Sequence, residues 1–307
     1  MKPLRRRNVL RTLLTLPALA LIGCGMRPTL SARGQADPLA RLEREHGGRL
    51  GVCVLDTGSG EQLHWRGDER FGMCSTFKLP LAATVLRAVE TGELDGQAGI
   101  GFGPQDLVPH APVIQARLDA GIDSMSAIEL AQATQLTSDN VAANLLIAAL
   151  GGPSAVTARW RALGDPVTRL DRFEPAMNDV PPGELRDTTT PCAMARHVAV
   201  LLGDAHLSAA ARARLRQWLI ATDTGLRRLR AGLPAHWPAG DKTGTALIEG
   251  LGNKLNDVAV AWPPGRAPLV IACYYEAPGH DRAIWRDQES IHAGVGALAA
   301  RWAGDEG

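Results

Sequence analysis

The chain has 307 residues, of which 45% are hydrophobic, enough to bury the core of one large domain or of two interlocked ones. Its 33 basic and 32 acidic side chains leave a formal net charge of +1. This balance provides no excess positive field for nucleic acid or for an anionic membrane surface, so we expect a small molecule as the partner.

The first 24 residues have the pattern of an export signal. Three arginines, Arg5 to Arg7, precede an apolar stretch from Leu13 to Ile22. This stretch is shorter than the roughly 20 residues that a membrane-spanning helix needs, and a basic start before a short apolar segment is typical of a cleaved signal peptide. We therefore predict that residues 1–24 are a signal peptide and that the protein is periplasmic.

The signal ends in Leu-Ile-Gly-Cys, with the cysteine at position 24. These four residues resemble the lipobox of bacterial lipoproteins, in which the cysteine becomes the lipid-modified first residue of the mature chain. The resemblance implies a protein that is anchored to a membrane only through a lipid on Cys24, with residues 25–36 as a linker. The alternative is ordinary cleavage near Ala32 to Ala36, which would discard Cys24.

The next part of the chain combines a hairpin with several helices. A short helix near Pro38 to His46 precedes a continuously apolar strand, Leu50 to Leu55, and a turn at Asp56 to Gly60. Helical patterns follow at Ser75–Glu90, Met125–Thr134, Asp139–Leu150 and Pro153–Leu163. Because Asp139–Leu150 is apolar on nearly every side and ends at a Gly-Gly pair, we expect the other helices to pack around it.

Strand patterns return at Asp257–Trp262 and Leu269–Glu276, before a last helix that contains Ile291 and Trp302. Strands at both ends of the chain, with helices between them, predict an α/β fold with three α-β-α layers. In this fold an antiparallel sheet built from both termini is covered by helices, and an all-helical subdomain is inserted.

The predicted fold implies one domain, residues 37–307. Its sheet subdomain should comprise about 37–74 and 222–307, and its helical subdomain about 75–221. A cleft between two such subdomains is the natural place for a site.

The chain contains few lysines, and one of them follows a serine at helical spacing. The four lysines are Lys2, Lys78, Lys242 and Lys254. Where arginine supplies ordinary surface charge, a retained lysine indicates a site that needs an amine able to lose its proton. Ser75 and Lys78 lie three residues apart, hence on one face of a helix. A lysine in a water-poor cleft has a lowered pKa and can take the proton of a serine nucleophile.

Two further motifs follow in order, Ser138-Asp139-Asn140 and Lys242-Thr243-Gly244. Composition alone would produce all three motifs in roughly one of 10⁴ to 10⁵ such chains. Ser-x-x-Lys, Ser-Asp-Asn and Lys-Thr-Gly are the motif set of class A β-lactamases and penicillin-binding proteins. The chain resembles class A serine β-lactamases over essentially its whole mature length.

The resemblance implies that the substrate is a β-lactam antibiotic, hydrolysed through a serine acyl-enzyme by a monomer without metal or cofactor. Ser75 would be the acylated nucleophile and Lys78 its proton partner. Ser138 would relay a proton to the leaving β-lactam nitrogen, and Asn140 would bind the acylamide side chain of the substrate.

The same resemblance implies a carboxylate subsite at the third motif. Lys242, Thr243 and Thr245, with Gly244 between them, would hold the substrate carboxylate by a fixed cation and hydroxyl donors. The backbone N–H groups of Ser75 and Thr245 would form the oxyanion hole.

The segment from Asp171 to Asn178 resembles the omega loop of the family. Its Glu174 and Asn178 are spaced so that a carboxylate and an amide can hold one water and direct it at the acyl carbonyl. Arg172 and Asp187 would form the ion pair that closes the neck of this loop. The alternatives are a cell-wall D,D-peptidase and a β-lactam sensor that stays acylated, and neither needs such a pair.

Two further substrate contacts rest on position alone. Arg228, fourteen residues before Lys242, resembles the arginine that some subgroups use as a second carboxylate clamp, and the alternative is a surface arginine. His110 occupies the place of the cleft-edge aromatic residue, or is merely exposed in a Pro-rich loop. Residues 247–255 are expected to form a longer hairpin than usual at the cleft edge, which leaves the substrate profile open.

The cysteines beyond the signal have no metal-binding spacing; they are Cys53, Cys74, Cys192 and Cys273. Cys53 and Cys273 lie in strand-like runs that could pair in an oxidising compartment, and buried free thiols are the alternative. In carbapenem-hydrolysing relatives a cysteine bridges to the Cys74 position. Its place, near Ala246, holds no cysteine here, so carbapenem hydrolysis is not predicted.

Overall fold

The computed structural model of the chain describes residues 31–203, 205–279 and 286–305. The predicted signal peptide and Cys24 therefore lie outside the described residues. The helices are α1 Ser31–His46, α2 Lys78–Glu90, α3 Pro112–Asp119, α4 Ala127–Leu136, α5 Asn140–Ala149, α6 Pro153–Ala162, α7 Pro191–Leu202, α8 Ala209–Ala221 and α9 Arg286–Trp302. No single helix in these ranges is both long and apolar enough to cross a bilayer; α5 and α6 reach that length and composition only together, across a bend of 72°.

The strands of the described residues are β1 Arg49–Asp56, β2 Gln62–Trp65, β3 Phe71–Gly72, β4 Gly99–Gly101, β5 Ser124–Ser126, β6 Thr188–Thr189, β7 Ala239–Ile248, β8 Gly252–Ala261 and β9 Leu269–Glu276. Five of them form one antiparallel sheet in the order β2-β1-β9-β8-β7. Strand β1 from the beginning of the chain pairs with β9 from its end, with Arg49 opposite Glu276. The predicted antiparallel sheet built from both termini is thus confirmed.

Helices cover both faces of this sheet. Alternate residues of β1 enter different cores, since successive side chains of a strand point to opposite faces. Val52 and Val54 pack in one hydrophobic cluster with residues of α1 and α9, including Leu39 and Ile291. Cys53 belongs to the other cluster, which is formed mainly by the helices between the two parts of the sheet. The predicted three layers follow from these two cores.

The central helix is not the one that the sequence indicated. Ten of the thirteen residues of α2 are buried, against six of the ten residues of α5. The prediction that the other helices pack around Asp139–Leu150 was therefore wrong. Ala148 and Ala149 make that segment look apolar on every side, yet both are exposed, as small apolar residues often are. Its predicted glycine end is correct, because Gly151 takes the left-handed conformation with φ 94°.

Candidate active site

The nucleophile candidate stands where the sheet meets the central helix. Ser75 lies in a 3₁₀ turn, Cys74–Phe77, that continues directly into α2, of which Lys78 is the first residue. The Lys78 Nζ donates a hydrogen bond to Ser75 Oγ at 3.0 Å. The structure therefore brings this predicted hydroxyl and amine into contact.

Lys78 is fully buried among polar atoms of three segments. Its Nζ donates to the backbone oxygen of Ser138 at 2.8 Å, to Ser138 Oγ at 3.3 Å and to Asn140 Oδ1. It also lies 3.2 Å from Glu174 Oε1. Burial lowers the pKa of Lys78, while the Glu174 carboxylate opposes this shift. The amine is therefore held where it can exchange protons with two serine hydroxyls.

The Ser-Asp-Asn motif is fixed by its middle residue, which sequence reasoning did not assign. Asp139 is fully buried, and its Oδ1 accepts from the backbone N–H of Ala142 at the start of α5. Its Oδ2 accepts from the backbone N–H groups of Val113 and Ile114 in α3, at 2.9 and 3.0 Å. Ser138 takes a left-handed conformation, φ 60°, beside this anchor. Such strain persists only where surrounding contacts hold it, as Asp139 does here.

Glu174 faces the nucleophile from the opposite wall. Its Oε1 lies 3.4 Å from Ser75 Oγ, and its Oε2 accepts from Asn178 Nδ2 at 2.6 Å. The glutamate is 3% exposed. The predicted carboxylate and amide are thus in contact with each other, and the carboxylate faces Ser75.

Two structural contacts hold the loop that carries Glu174. The predicted ion pair is confirmed, since Arg172 Nε donates to Asp187 Oδ2 at 2.6 Å. Asn144 of α5 binds the backbone of Glu174 twice, at 2.9 Å each, through its Nδ2 to the oxygen and its Oδ1 to the N–H. Asn144 was missed from the sequence. It could have been predicted from its position one helical turn after Asn140, which places both side chains on the same face of α5.

The Lys-Thr-Gly motif lies on β7, at the end of the sheet. Lys242 is fully buried, and its Nζ donates to the backbone oxygen of Thr243 at 2.8 Å. Burial, followed by repulsion from Lys78, lowers the pKa of Lys242 to about 7. Gly244 is required for close approach, because a Cβ there would lie 2.9 Å from Met73 O and 3.1 Å from Ser75 N. The glycine therefore lets β7 pass directly beside the nucleophile.

Arg228 is buried under the same strand and is not the surface arginine that the sequence left as an alternative. It is 3% exposed. Its guanidinium donates to Thr245 Oγ1 at 2.8 Å and to the backbone oxygens of Gly244, at 3.2 Å, and Asn256, at 2.7 Å. Glu289 Oε1 lies 3.3 Å from its Nε. Arg228 is thus a fixed cation that contacts the site through Thr245.

The remaining candidates lie at the edge of the site. Thr243 Oγ1 is 2.8 Å from the hydroxyl of Thr224. His110 is exposed, with its Nε2 2.9 Å from Thr137 O, and its own backbone oxygen accepts from Asn140 N at 2.9 Å. Strands β7 and β8 remain paired as far as Ile248 and Gly252, so only three residues of the expected 247–255 hairpin form its turn.

All four cysteines of the described residues are buried and free. Cys53 is opposite Ala272, and Cys273 is opposite Val52. The offset by one position sends the two thiols to opposite faces of the sheet, which is why they do not form the disulfide considered from the sequence. Burial raises the pKa of the Cys74 thiol, next to Ser75, to about 12. That thiol is therefore not a competing nucleophile.

Comparison with known proteins agrees with this geometry. A profile of the Beta-lactamase enzyme family matches residues 35–301. The carbapenem-hydrolyzing β-lactamase KPC of Klebsiella oxytoca is 40% identical over 98% of this chain and 99% of its own length, and a β-lactamase of Citrobacter koseri is 45% identical over 82% and 85%. The solved structure of an ancestral class A β-lactamase is 48% identical, with a TM-score of 0.80 over 87% of this chain and 99% of its own.

The likenesses extend over nearly the whole described chain, and the serine, the two lysines and the loop glutamate converge on one cleft. The fold, the arrangement of the site and the relatives all indicate the same family. The chain belongs to the class A serine β-lactamases, which hydrolyse β-lactam antibiotics and thereby confer resistance.

Proposed function

We propose that the hydrolysis starts with attack of Ser75 Oγ on the β-lactam carbonyl. Lys78, as the neutral amine that burial favours by lowering its pKa, accepts the hydroxyl proton across the 3.0 Å contact as the new ester bond forms. The ring C–N bond then breaks and Ser138 Oγ delivers its proton to the leaving nitrogen, while Lys78 Nζ, 3.3 Å away, passes the proton it took from Ser75 on to Ser138. The backbone N–H groups of Ser75 and Thr245 stabilise the oxyanion, where one such donor contributes about 3 to 4 kcal/mol.

The second step removes the acyl group from the serine. Glu174 accepts a proton from a water that Asn178 helps to hold, and the resulting hydroxide attacks the acyl carbonyl. The ester C–O bond then breaks, and Glu174, 3.4 Å from Ser75 Oγ, returns the proton to the serine. The observation that carries this assignment is the position of Glu174, between the Ser75 hydroxyl and the Asn178 amide. It favours a hydrolase over a D,D-peptidase or a sensor, and replacement of Glu174 tests it.

The substrate carboxylate binds to the β7 segment. Lys242 supplies the cation, and Thr243 and Thr245 supply hydroxyl donors. Arg228 orients Thr245 by donating a hydrogen bond to its Oγ1 at 2.8 Å. The side chain of Asn140 binds the acylamide group, and His110 borders the substrate at the cleft edge. Because these groups all belong to one chain, we propose that the protein acts as a monomer.

The low pKa of Lys242 predicts a pH dependence of substrate capture. Below a pKa of about 7 the amine is charged and binds the substrate carboxylate, so kcat/KM for benzylpenicillin should fall as pH rises through that value. In the complex the bound carboxylate stabilises the charged amine, so the corresponding fall in kcat should occur at higher pH. In Lys242→Arg, whose guanidinium stays charged, the limb of kcat/KM near pH 7 should disappear. Superimposable pH profiles of the two proteins would remove Lys242 from this role.

We also propose that the protein is exported and held at a membrane by a lipid on Cys24. The support is the basic start, the short apolar segment and the Leu-Ile-Gly-Cys sequence. In cells producing the full chain, the protein should sediment with membranes, and Cys24→Ala should release it or stop its processing. N-terminal analysis should find a diacylglyceryl-modified Cys24. An unmodified N-terminus beyond Ala32 would contradict the lipoprotein proposal and favour ordinary cleavage.

A further inference from the structure

A cavity of about 410 Å³ lies between the end of the omega loop and the sheet. Residues 180–185 form one wall, and Gly72, Lys254 and the hairpin turn at Leu251 contribute to the other. None of the residues assigned above to β-lactam hydrolysis lines it.

Lys254 of β8 has the most unusual environment in this cavity. It is 2% exposed, and its side chain runs over Gly72, where a Cβ would lie 3.5 Å from Lys254 Cδ. Within the described part of the chain, no carboxylate oxygen lies within 4 Å of its Nζ, and no hydrogen-bond partner is found for it. Buried charges in proteins are normally paired, so this ammonium lacks a counter-ion that the fold would be expected to supply.

The carboxylates that line the cavity are already bound by arginines. Glu276 is opposite Lys254 in the sheet, but both its oxygens accept from Arg49, at 2.8 and 3.0 Å. Glu184 accepts from the side chain of Arg186 at 2.9 Å and from the backbone N–H groups of residues 185 and 186. Both carboxylates are therefore held by arginines, and neither forms an ion pair with Lys254.

A second cation also faces the cavity. Arg70 donates to the backbone oxygen of Val167 at 3.2 Å and to Thr188 Oγ1 at 2.8 Å, both of which are neutral acceptors. Within the described ranges, no carboxylate pairs with Arg70. Burial is the main cause that lowers the pKa of Arg70; repulsion from Arg169 and Arg161 adds to it, and the Asp165 carboxylate opposes it.

We propose that this cavity, lined by Lys254 and Arg70, binds a small dianion with oxygen acceptors, either inorganic phosphate or a short dicarboxylate. Two cations that form no ion pair among the described residues match two negative charges, and the planar guanidinium group of Arg70 matches a pair of oxygens. The volume accommodates either anion. A bound anion would join β8 to residues 180–185 at the end of the omega loop, whose earlier part carries Glu174.

Isothermal titration calorimetry with inorganic phosphate and with succinate tests the proposal. The wild-type protein should bind at least one of them at this site, and Lys254→Met, which removes the charge and keeps an apolar stem, should bind it about tenfold more weakly or worse. Lys254→Arg should retain the binding. Arg214→Gln, which removes one positive charge from an exposed position of α8, is the matched control and should bind as the wild type does.

Anions can also enter the substrate carboxylate subsite, and kinetics separates the two sites. An anion at Lys242 competes with benzylpenicillin, and its inhibition constant should be the same in Lys254→Met and in the wild type. Circular dichroism verifies the fold of each variant, and Arg70→Gln, expected to weaken binding similarly, serves if Lys254→Met does not fold. Equal affinities of the wild type and the folded variant for both anions, or binding that is entirely competitive with benzylpenicillin, would overturn the proposal.

Discussion

Replacement of Glu174 with alanine is expected to trap benzylpenicillin as an acyl group on Ser75. Acylation needs only that Ser75 lose its proton, and Lys78 provides an acceptor at 3.0 Å that the substitution leaves in place. Deacylation needs an activated water, and the substitution removes both the base and the partner of the Asn178 amide. Loss of a general base typically lowers a rate by about 10²- to 10⁴-fold, so the second step should become limiting.

Stopped-flow absorbance should therefore show a burst of one equivalent of opened ring, followed by very slow turnover. Intact-mass measurement of the same mixture should find the protein heavier by one penicilloyl group. A matched control is Glu61→Ala, because Glu61 is an exposed carboxylate on the hairpin turn, and this variant should hydrolyse at the wild-type rate. Wild-type-like steady-state hydrolysis by Glu174→Ala, without a trapped adduct, would mean that water is activated by a different group.

The Ser75→Ala substitution is expected to have the larger effect on hydrolysis, because it removes the atom that forms the covalent bond. Loss of a catalytic nucleophile lowers kcat by roughly 10⁴-fold or more. The buried thiol of Cys74 cannot replace the hydroxyl, since burial raises its pKa to about 12. The fold should survive, because the Lys78 amine keeps its contacts with Ser138 and Asn140.

Mass spectrometry after incubation with penicillin should show no adduct on Ser75→Ala and a complete adduct on Glu174→Ala. The double variant should also remain unlabelled. Ser154→Ala, at an exposed position on α6, controls for removal of a serine hydroxyl and should behave as the wild type. A stable adduct on any other residue of Ser75→Ala would assign the nucleophile elsewhere.

Much of the fold could be predicted because the sheet and helices have distinct sequence periods. Strand β1 lies between two helical layers. Its sequence is continuously apolar because both of its faces are buried. Strand β7 was not predicted, although it carries the Lys-Thr-Gly motif. Its glycines and buried charged residues have low strand propensity, and pairing with β8 together with close packing against Ser75 decides its conformation.

The site was predictable where chemistry fixes both residue type and spacing, as for Ser75 and Lys78. Residues that act by holding others were not, because their partners are distant in sequence. Asn144 binds the backbone of Glu174 thirty residues away, and Asp139 joins the starts of two helices. The same holds for Lys254. Whether it has an ion-pair partner depends on which carboxylates near it are paired with arginines, and this follows only from the fold.

Counting turnovers of the wild-type protein is the most direct test of its assignment as a β-lactam hydrolase. Benzylpenicillin in large molar excess is followed by the absorbance of its ring while the amount of acylated protein is measured by intact mass. If Glu174 and Asn178 activate a water, every molecule of substrate should be consumed and the protein should be recovered without an adduct. Loss of only one equivalent, with the protein left acylated on Ser75, would contradict this account and identify a penicillin-binding protein that does not hydrolyse its ligand.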